Sequence, residues 1–110
     1  MSGKFQLKPA GYGEYMFNLK APNGETILTS ERYTSEAGAV RGIQSVKVNS
    51  LVSSHFENRS SVRSEPYFVL KAANGEIIGT SEMYSSPTAR DNGIAAVKEY
   101  APNASIEGLS

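Results

Sequence analysis

Cysteine is missing from the 110 residues of this chain, and histidine occurs only once. The lack of cysteine excludes disulfides, thiolate metal sites and cysteine nucleophiles. No apolar run approaches the roughly 20 residues that a membrane-spanning helix requires. The N-terminal residues lead directly into a strand-like pattern at Phe5, without an apolar signal segment. We therefore expect a cytoplasmic protein that does not span a membrane.

An excess of charge of one sign is also missing, because eleven acidic residues balance eleven basic residues. A dedicated nucleic-acid binder normally carries a basic excess, which displaces counterions from phosphate. The balance argues against that class of protein, although it does not exclude a local basic patch.

An internal repeat is the main feature that is present. Residues 17–47 recur as residues 68–98, 51 positions further along, and 17 of the 31 aligned positions are identical. We therefore predict a single domain, 1–110, made of repeat 1 at about 3–52 and repeat 2 at about 54–107. A chain of about fifty residues buries too little surface to be more than marginally stable, so the two repeats should share one core.

Each repeat opens with a short strand candidate, residues 5–8 or 56–59, and continues with two strand patterns joined by an Asn-Gly turn. Residues 15–20 and 67–71 alternate with period two, which is typical of a strand with one buried face. An Asn-Gly pair between two strand patterns predicts a hairpin with a type I′ turn, in which both residues adopt positive φ. The predicted turn residues are Asn23, Gly24, Asn74 and Gly75.

Two helices are predicted at about 36–48 and 87–100. Pro87 suits the first helical position, which makes Ser86 the N-cap of the second helix. By equivalence, Ser35 caps the first helix.

The helices contain repeated glycines, and repeated tyrosines precede them. Gly42 and Gly93 lie inside the predicted helices, where glycine costs about 1 kcal/mol relative to alanine. A cost that recurs at the same place indicates a close approach of another element. Tyr33 and Tyr84 lie just before the caps, where their rings are expected to brace the helix entry.

The fold class follows from this order of elements. Tight hairpins join antiparallel strands. We therefore predict an α+β fold in which tandem duplicated β-β-β-α(-β) units form one antiparallel sheet, with both helices packed on one face. Residues 102–107 are the candidate closing strand of repeat 2, and residues 53–57 hold the matching place in repeat 1.

Several phrases of the sequence occur together in a known family: Phe17–Ala21 with Asn23–Glu25, Phe68–Glu76, Ile78–Tyr84, and Gly93–Ile94 with Val97–Lys98. In these phrases the chain resembles the YegP-like family of small bacterial proteins. The resemblance implies a β(3)-α-β unit, duplicated or dimerised, whose copies share one sheet and exchange closing strands. Because the family is a domain of unknown function, the resemblance implies no active site.

No catalytic residue, metal site or cofactor is predicted. The single histidine, His55, has Glu57 on the same strand face but no identifiable nucleophile. With one histidine and no cysteine, only an all-carboxylate metal site could form, and the spacing of an EF-hand is absent. Two recurring carboxylate pairs occupy turn and junction positions that are typical of solvated residues; these are Glu25 with Glu31 and Glu76 with Glu82.

The sheet face opposite the helices is the best candidate for a binding site. It should carry Gln6, Lys8, Met16, Asn18, Lys20, Arg59, Tyr67, Val69 and Lys71. Basic side chains mixed with an aromatic ring are found on sheets that bind single-stranded nucleic acid, although a plain solvated face is the simpler interpretation. The binding candidates on this face are Met16, Asn18, Lys20, Tyr67 and Lys71.

These observations favour a non-enzymatic binding or interaction module. We expect a monomer, because both halves of the pseudo-dimer already lie in one chain. The partner is not identified; a protein partner, or weak self-association, could use Met16, Tyr67 and Val69 on the sheet face opposite the helices. The alternative is a weak single-stranded nucleic-acid binder that uses the same face.

Overall fold

The computed structural model describes residues 3–108. Three strands and a helix are followed by three further strands, a second helix and a short final strand. The elements are β1 (Lys4–Gly11), β2 (Glu14–Lys20), β3 (Thr26–Thr29), α1 (Glu36–Asn49), β4 (Phe56–Ser60), β5 (Pro66–Lys71), β6 (Ile77–Thr80), α2 (Pro87–Tyr100) and β7 (Ser105–Glu107). This order confirms the predicted α+β fold.

The seven strands form one sheet in the order β4-β5-β6-β3-β2-β1-β7. Its pairs are antiparallel, as predicted, except that β7 runs parallel to β1. The two halves join where Thr29 of β3 lies opposite Thr80 of β6. These residues are 51 positions apart and are therefore equivalent in the two repeats. A local pseudo-twofold axis passes between them.

The closing strand covers only one edge of the sheet. β7 lies along the outer edge of β1, with Phe5 opposite Ile106 and Gln6 opposite Glu107. A 3-10 turn, Ala101–Asn103, precedes β7, and the matching segment of the first half forms the 3-10 turn Ser53–His55 and then continues into β4. Within residues 3–108, the outer edge of β4 therefore has no strand beside it. The first half contributes three strands to the sheet, and β7 of the second half extends that side to four.

Both helices cover the same face of the sheet and share one core. Helix α1 contacts β5 and β6 of the second half, and α2 contacts β3 of the first half. Each fully buried Leu, Ile, Val or Phe contributes about 1.5–3 kcal/mol through the loss of apolar contact with water. The core residues are Phe5, Leu7, Phe17, Leu19, Ile27, Leu28, Ala39, Ile43, Val46, Phe68, Leu70, Ile78, Val97, Ala101 and Ala104.

The repeat symmetry breaks in the core beside the pseudo-twofold axis. Leu28 is fully buried there, and the equivalent residue in the second half is Gly79. A Cβ atom on Gly79 would lie 2.6 Å from Cδ2 of Leu28, which is much closer than van der Waals contact allows. The space near the axis therefore holds one leucine side chain, and glycine leaves room for it.

The Asn-Gly hairpins form where they were predicted, but the turn type I′ is wrong. The amide of Gly24 donates to the carbonyl of Ala21 at 2.9 Å, and Gly24 has φ of +89° while Asn23 does not have a positive φ. This is a type I turn followed by a left-handed glycine. Pro22 favours it because its fixed φ suits the first turn position. Ala72, Asn74, Gly75 and Glu76 repeat the arrangement in the second half.

Serine side chains cap both helices. The Oγ of Ser35 accepts a hydrogen bond from the amide of Gly38 at 2.9 Å, and the Oγ of Ser86 accepts one from the amide of Ala89 at 3.1 Å. Each bond satisfies one of the amides that the first helical turn leaves without a partner.

The glycine inside each helix makes room for the tyrosine that precedes the helix. A Cβ atom on Gly42 would lie 2.5 Å from Cζ of Tyr33. The ring of Tyr33 also stacks on Phe17, with centroids 6.2 Å apart. The second half repeats this packing with Gly93, Tyr84 and Phe68. The close approach that the repeated glycines indicated is therefore the contact of a tyrosine ring with the helix backbone.

Candidate functional site

The structure offers open surfaces rather than a pocket. Residues 3–108 enclose no cavity. In the same range, no three histidine, cysteine, aspartate or glutamate side chains are arranged to hold a metal ion. No helix in this part of the chain is long and apolar enough to cross a membrane. A ligand would therefore lie on a surface.

The carboxylates that recur in each repeat are grouped across the two halves. Burial raises the pKa of Tyr84 of the second half, and the negative charges of Glu82 and of Glu25, which lies at the end of the first Asn-Gly turn, raise it further. The equivalent group in the first half consists of Tyr33, Glu31 and Glu76. The grouping across halves agrees with the contact of each helix with strands of the other half.

His55 holds the connection between α1 and β4 in place through a contact with Asn49. Its Nδ1 lies 2.7 Å from Oδ1 of Asn49, and the Nδ2 of Asn49 donates to the carbonyl of Ser45 at 2.8 Å. Glu57 binds Lys71 instead of the histidine. The side chain of His55 therefore links the 3-10 turn to the end of α1.

The face opposite the helices carries one row of residues that crosses the whole sheet. Cross-strand pairing places one residue from each strand in this row. In spatial order the row is Glu57, Val69, Thr80, Thr29, Asn18, Gln6 and Glu107. We call the surface formed by this row and by the flanking Lys4, Lys8, Met16, Lys20, Arg59, Tyr67 and Lys71 the open face.

The middle of the open face is close-packed. Val69 is only 1% exposed, although it lies outside the core beneath the helices, and Asn18 is 6% exposed. The Nδ2 of Asn18 donates to Oγ1 of Thr29 at 2.9 Å. The amide of Asn18 is therefore used within the sheet. Groups that could meet a ligand lie around these two buried side chains.

On the first half, three cross-strand pairs form what we call the first ladder: Lys4–Lys20, Gln6–Asn18 and Lys8–Met16. Lys4 Nζ lies 3.4 Å from a carboxylate oxygen of Glu107, and both side chains are exposed. Neither Lys8 nor Lys20 forms an ion pair with another residue in the range 3–108. The first ladder therefore presents positive charge that the described residues leave largely unneutralised.

On the second half, the equivalent positions form what we call the second ladder: Lys71, the pair Glu57–Val69 and the pair Arg59–Tyr67. Glu57 binds Lys71, at 2.7 Å, with one carboxylate oxygen and Arg59 with the other. Two hydrogen bonds hold the pKa of Glu57 below its ordinary value of 4.5. The bond from Lys71 has the larger effect and the bond from Arg59 the smaller. Glu57 in turn raises the pKa of Arg59. The second ladder neutralises its own charge in part.

Two pairs of equivalent residues account for this contrast: Lys4 is replaced by His55, and Gln6 is replaced by Glu57. Gln6 and Glu57 are 51 positions apart and hold the same place in the two ladders. The carboxylate of Glu57 joins the cations on either side of it, whereas the neutral amide of Gln6 cannot form an ion pair. The two halves of the open face therefore differ in electrostatics although their backbones are equivalent.

The structure divides the predicted binding residues between the two ladders. Met16 and Lys20 belong to the first ladder, and Tyr67 and Lys71 to the second. Asn18 lies between strands and is buried. A binding role for these five residues stays a prediction.

Lys4, Glu57 and Glu107 belong to this face although the sequence pattern did not place them there. The antiparallel register, counted back from the first hairpin, places Lys4 opposite Lys20. Glu107 had no such signal, because its position depends on the docking of β7 against β1 at the far end of the chain.

Comparison with known proteins gives two matches to one family model. The model is described as a domain of unknown function, DUF1508, and it matches residues 12–57 and 62–107. The first match ends within β4 and the second at the end of β7. The two matches therefore correspond to the two repeats.

Similar proteins cover nearly the whole chain. The UPF0339 protein YegP of Yersinia pestis is 51% identical over 108 residues, covering 98% of this chain and 96% of the relative. A UPF0339 protein of Bordetella pertussis is 54% identical over 104 residues, covering 94% of this chain and 93% of the relative.

Solved structures show the same fold. The solution NMR structure of a UPF0339 protein from Shewanella oneidensis is 49% identical in sequence and has a TM-score of 0.92, covering 99% of this chain and 92% of that one. The solution NMR structure of yegP from E. coli, described as a protein of unknown function, is 44% identical and also has a TM-score of 0.92, covering 98% and 93%.

Proposed function

The chain belongs to the DUF1508 family, and its UPF0339 relatives are described without a function. We therefore propose a function from the surface of the molecule. The protein is a monomeric, cytoplasmic, non-enzymatic binding module that holds its partner on the open face. A weak single-stranded nucleic-acid binder that uses this face is the more specific alternative.

The observation that carries the proposal is the unneutralised positive charge of the first ladder. Lys4 lies directly opposite Lys20, and like charges in directly opposed positions destabilise a sheet. The chain nevertheless has a formal net charge of zero. A local cost of this kind is typical of a surface that meets a partner of opposite charge.

The rest of the molecule supports binding rather than catalysis. His55 is engaged with Asn49. The grouped carboxylates lie beside Tyr33 and Tyr84, where burial raises the pKa of each phenol, so these phenols stay protonated at neutral pH. A catalytic base needs an accessible group near a nucleophile, and this arrangement does not supply one.

Nucleic acid is favoured over other partners by two features of the open face. The lysines of the first ladder suit phosphate groups. Met16 in the first half and Tyr67 in the second lie on opposite sides of the central row, and each offers apolar or aromatic surface that suits an unpaired base.

The test is a chemical-shift map of the ¹⁵N-labelled protein in separate protein and nucleic-acid fractions of a bacterial extract. We expect the shifted amides to lie in β1, β2, β4 and β5. The exposed faces of α1 and α2 should be unchanged. Shifts confined to the helices, or no shifts in either fraction, would overturn the proposal.

A matched pair of variants checks that the face itself is responsible. Lys20→Glu reverses one charge on the open face, and Arg41→Glu makes the same change in charge at an exposed position of α1. We expect Lys20→Glu to abolish the shifts and Arg41→Glu to leave them in place. Equal effects of the two variants would show that net charge, and not the open face, controls binding.

A further inference from the structure

We infer that the first ladder binds the phosphate groups of single-stranded nucleic acid, and that Gln6 is the residue that leaves it able to do so. This inference rests on the proposed function, since it names the ligand of the open face and the half that binds it. The second ladder has no cation in the place of Lys4, and Glu57 holds the two cations that it does have.

The first ladder has two separate cationic positions. Lys4 and Lys20 are direct cross-strand partners, so their Cβ atoms are about 5 Å apart. Lys8 lies four residues further along β1 on the same face, which is about 13 Å at the rise of a strand. One anion could contact the Lys4–Lys20 pair and a second could contact Lys8. A ligand with repeated phosphates fits this spacing better than a single small anion.

The Lys4–Lys20 pair favours an anion for an energetic reason. The two ammonium groups repel each other, and the exposed contact of Lys4 with Glu107 at 3.4 Å offsets that repulsion only weakly. A phosphate placed near both lysines turns the repulsion into two attractions. The binding free energy therefore includes relief of a cost that the unbound protein carries.

Gln6 lies between the two cationic positions and does not compete with the ligand. Its neutral side chain can donate a hydrogen bond to a phosphate or a base. At the equivalent place in the second ladder, Glu57 holds Lys71 at 2.7 Å and also binds Arg59. A phosphate at the second ladder would have to displace that carboxylate from both cations.

The shape of the surface excludes a buried small ligand and suits an extended one. Residues 3–108 enclose no cavity, and the row through Asn18 and Val69 is close-packed. A single strand lying on the sheet would place phosphates near the lysines and bases near Met16. Base stacking on such a platform does not depend on sequence, so weak and non-specific binding is the expected behaviour.

The experiment measures fluorescence anisotropy of labelled oligo-dT and oligo-U, each long enough to cross the sheet, with the full chain. Two or three phosphate contacts predict an affinity that falls about tenfold when the salt concentration rises from about 50 to about 200 mM. No binding at low salt, or binding without salt dependence, would overturn the inference.

Two matched variants exchange the critical residue between the halves. Gln6→Glu adds a carboxylate of nearly the same shape to the first ladder and should weaken binding about tenfold. Glu57→Gln frees Lys71 and Arg59 and should strengthen binding. Thermal unfolding of both variants, unchanged within a few degrees, excludes loss of fold as the cause. An unchanged affinity in Gln6→Glu, or weaker binding by Glu57→Gln, would contradict the assignment to the first ladder.

The two proposals fail in different ways. If neither oligonucleotide binds but the protein fraction of an extract shifts the amides of β1 and β2, the open face is a binding surface for a different partner and only the inference is wrong. If oligonucleotides bind and the shifted amides lie outside the open face, both proposals are wrong.

Discussion

The two sides of the sheet differ by one strand, because four strands lie on the side of the first half and three on the side of the second. The repeats themselves are similar, since 17 of 31 aligned residues are identical. The identical residues include the turn glycines, the capping serines and much of the core. The residues that differ lie mostly in the helices, with others at the pseudo-twofold axis and on the open face. Duplication therefore accounts for the fold, and divergence of the copies accounts for features that only one half possesses.

The outer edges show the effect of a single missing strand. Phe5 is fully buried because β7 covers the edge of β1, whereas its counterpart Phe56 is only half-buried in the uncovered strand β4. The next strand differs as well. Tyr15 exchanges two backbone hydrogen bonds with Tyr33, and Pro66, at the place of Tyr15, can only accept one from Tyr84.

The largest effect is expected from moving the axial leucine to the other half. Leu28→Gly should lower the free energy of unfolding by about 3–5 kcal/mol, since it empties a fully buried site. Gly79→Leu should lower it by about 1–3 kcal/mol through overpacking against Leu28. The double variant should lose clearly less than the two single losses combined. Urea denaturation measures all three, and strictly additive losses would show that the two sites do not share space.

A smaller and equal loss is expected in both halves when the helix glycine is filled. Gly42→Ala and Gly93→Ala should each lower the free energy of unfolding by about 1–3 kcal/mol, because the new methyl group meets Tyr33 or Tyr84. The sign is informative, since alanine is otherwise the better helix former by about 1 kcal/mol.

Gly38→Ala is the control for these helix variants. The second half already carries Ala89 at the equivalent place, so this change should leave stability unchanged or improve it. Thermal and urea denaturation provide the measurement. A gain in stability for Gly42→Ala would show that the tyrosine does not restrict the helix backbone.

A change of about 1 kcal/mol, opposite in the two halves, is expected at the tips of the outer hairpins. Gly13 and Ser64 are equivalent, and both have positive φ, +75° and +63°. This conformation strains serine but not glycine. Ser64→Gly should therefore raise the free energy of unfolding by about 0.5–1 kcal/mol, and Gly13→Ser should lower it by about 1 kcal/mol. Chemical denaturation measures both changes in the free energy of unfolding. Changes of the same sign in the two variants would contradict the prediction.

The smallest effect concerns the pH dependence of the second ladder. Lys71, and to a smaller extent Arg59, lower the pKa of Glu57 in the folded protein. The ion pairs therefore stabilise the folded state at pH values above 4.5, the ordinary carboxyl pKa. This stabilisation is lost as the pH falls through the lowered pKa of Glu57. Carboxyl NMR should show Glu57 titrating below 4.5. Glu57→Gln should be slightly less stable than the parent at neutral pH, and the difference should vanish in acid and in high salt. A Glu57 midpoint above its ordinary value would contradict the ion pairs.

Much of the architecture was predictable because it depends on local and repeated signals. The hairpins and the capping roles of Ser35 and Ser86 each depend on a few neighbouring residues. The wrong turn type also has a local cause. Pro22 favours a type I turn, and the left-handed conformation then falls on Gly24 alone.

The candidate site was predictable only in outline. Period two in β2 and β5 placed Lys20, Tyr67 and Lys71 on one face. Side-chain exposure depends on neighbouring strands, so the burial of Asn18 was not evident. The contrast between Gln6 and Glu57 required the register of β1 and β4, because an ion pair forms only between side chains that pairing brings together.

The sequence alone determined that two equivalent units of strands and helix share one core, since the periodicity, turns and caps of each unit act over a few residues. Only the tertiary structure decided that β7 docks on β1, that Leu28 fills the space left by Gly79, and that Glu57 joins two cations while Lys8 and Lys20 stay without an ion pair in the described part of the chain. These features involve residues from separate strands or repeats. Their distances and energies exist only once the sheet has brought them together.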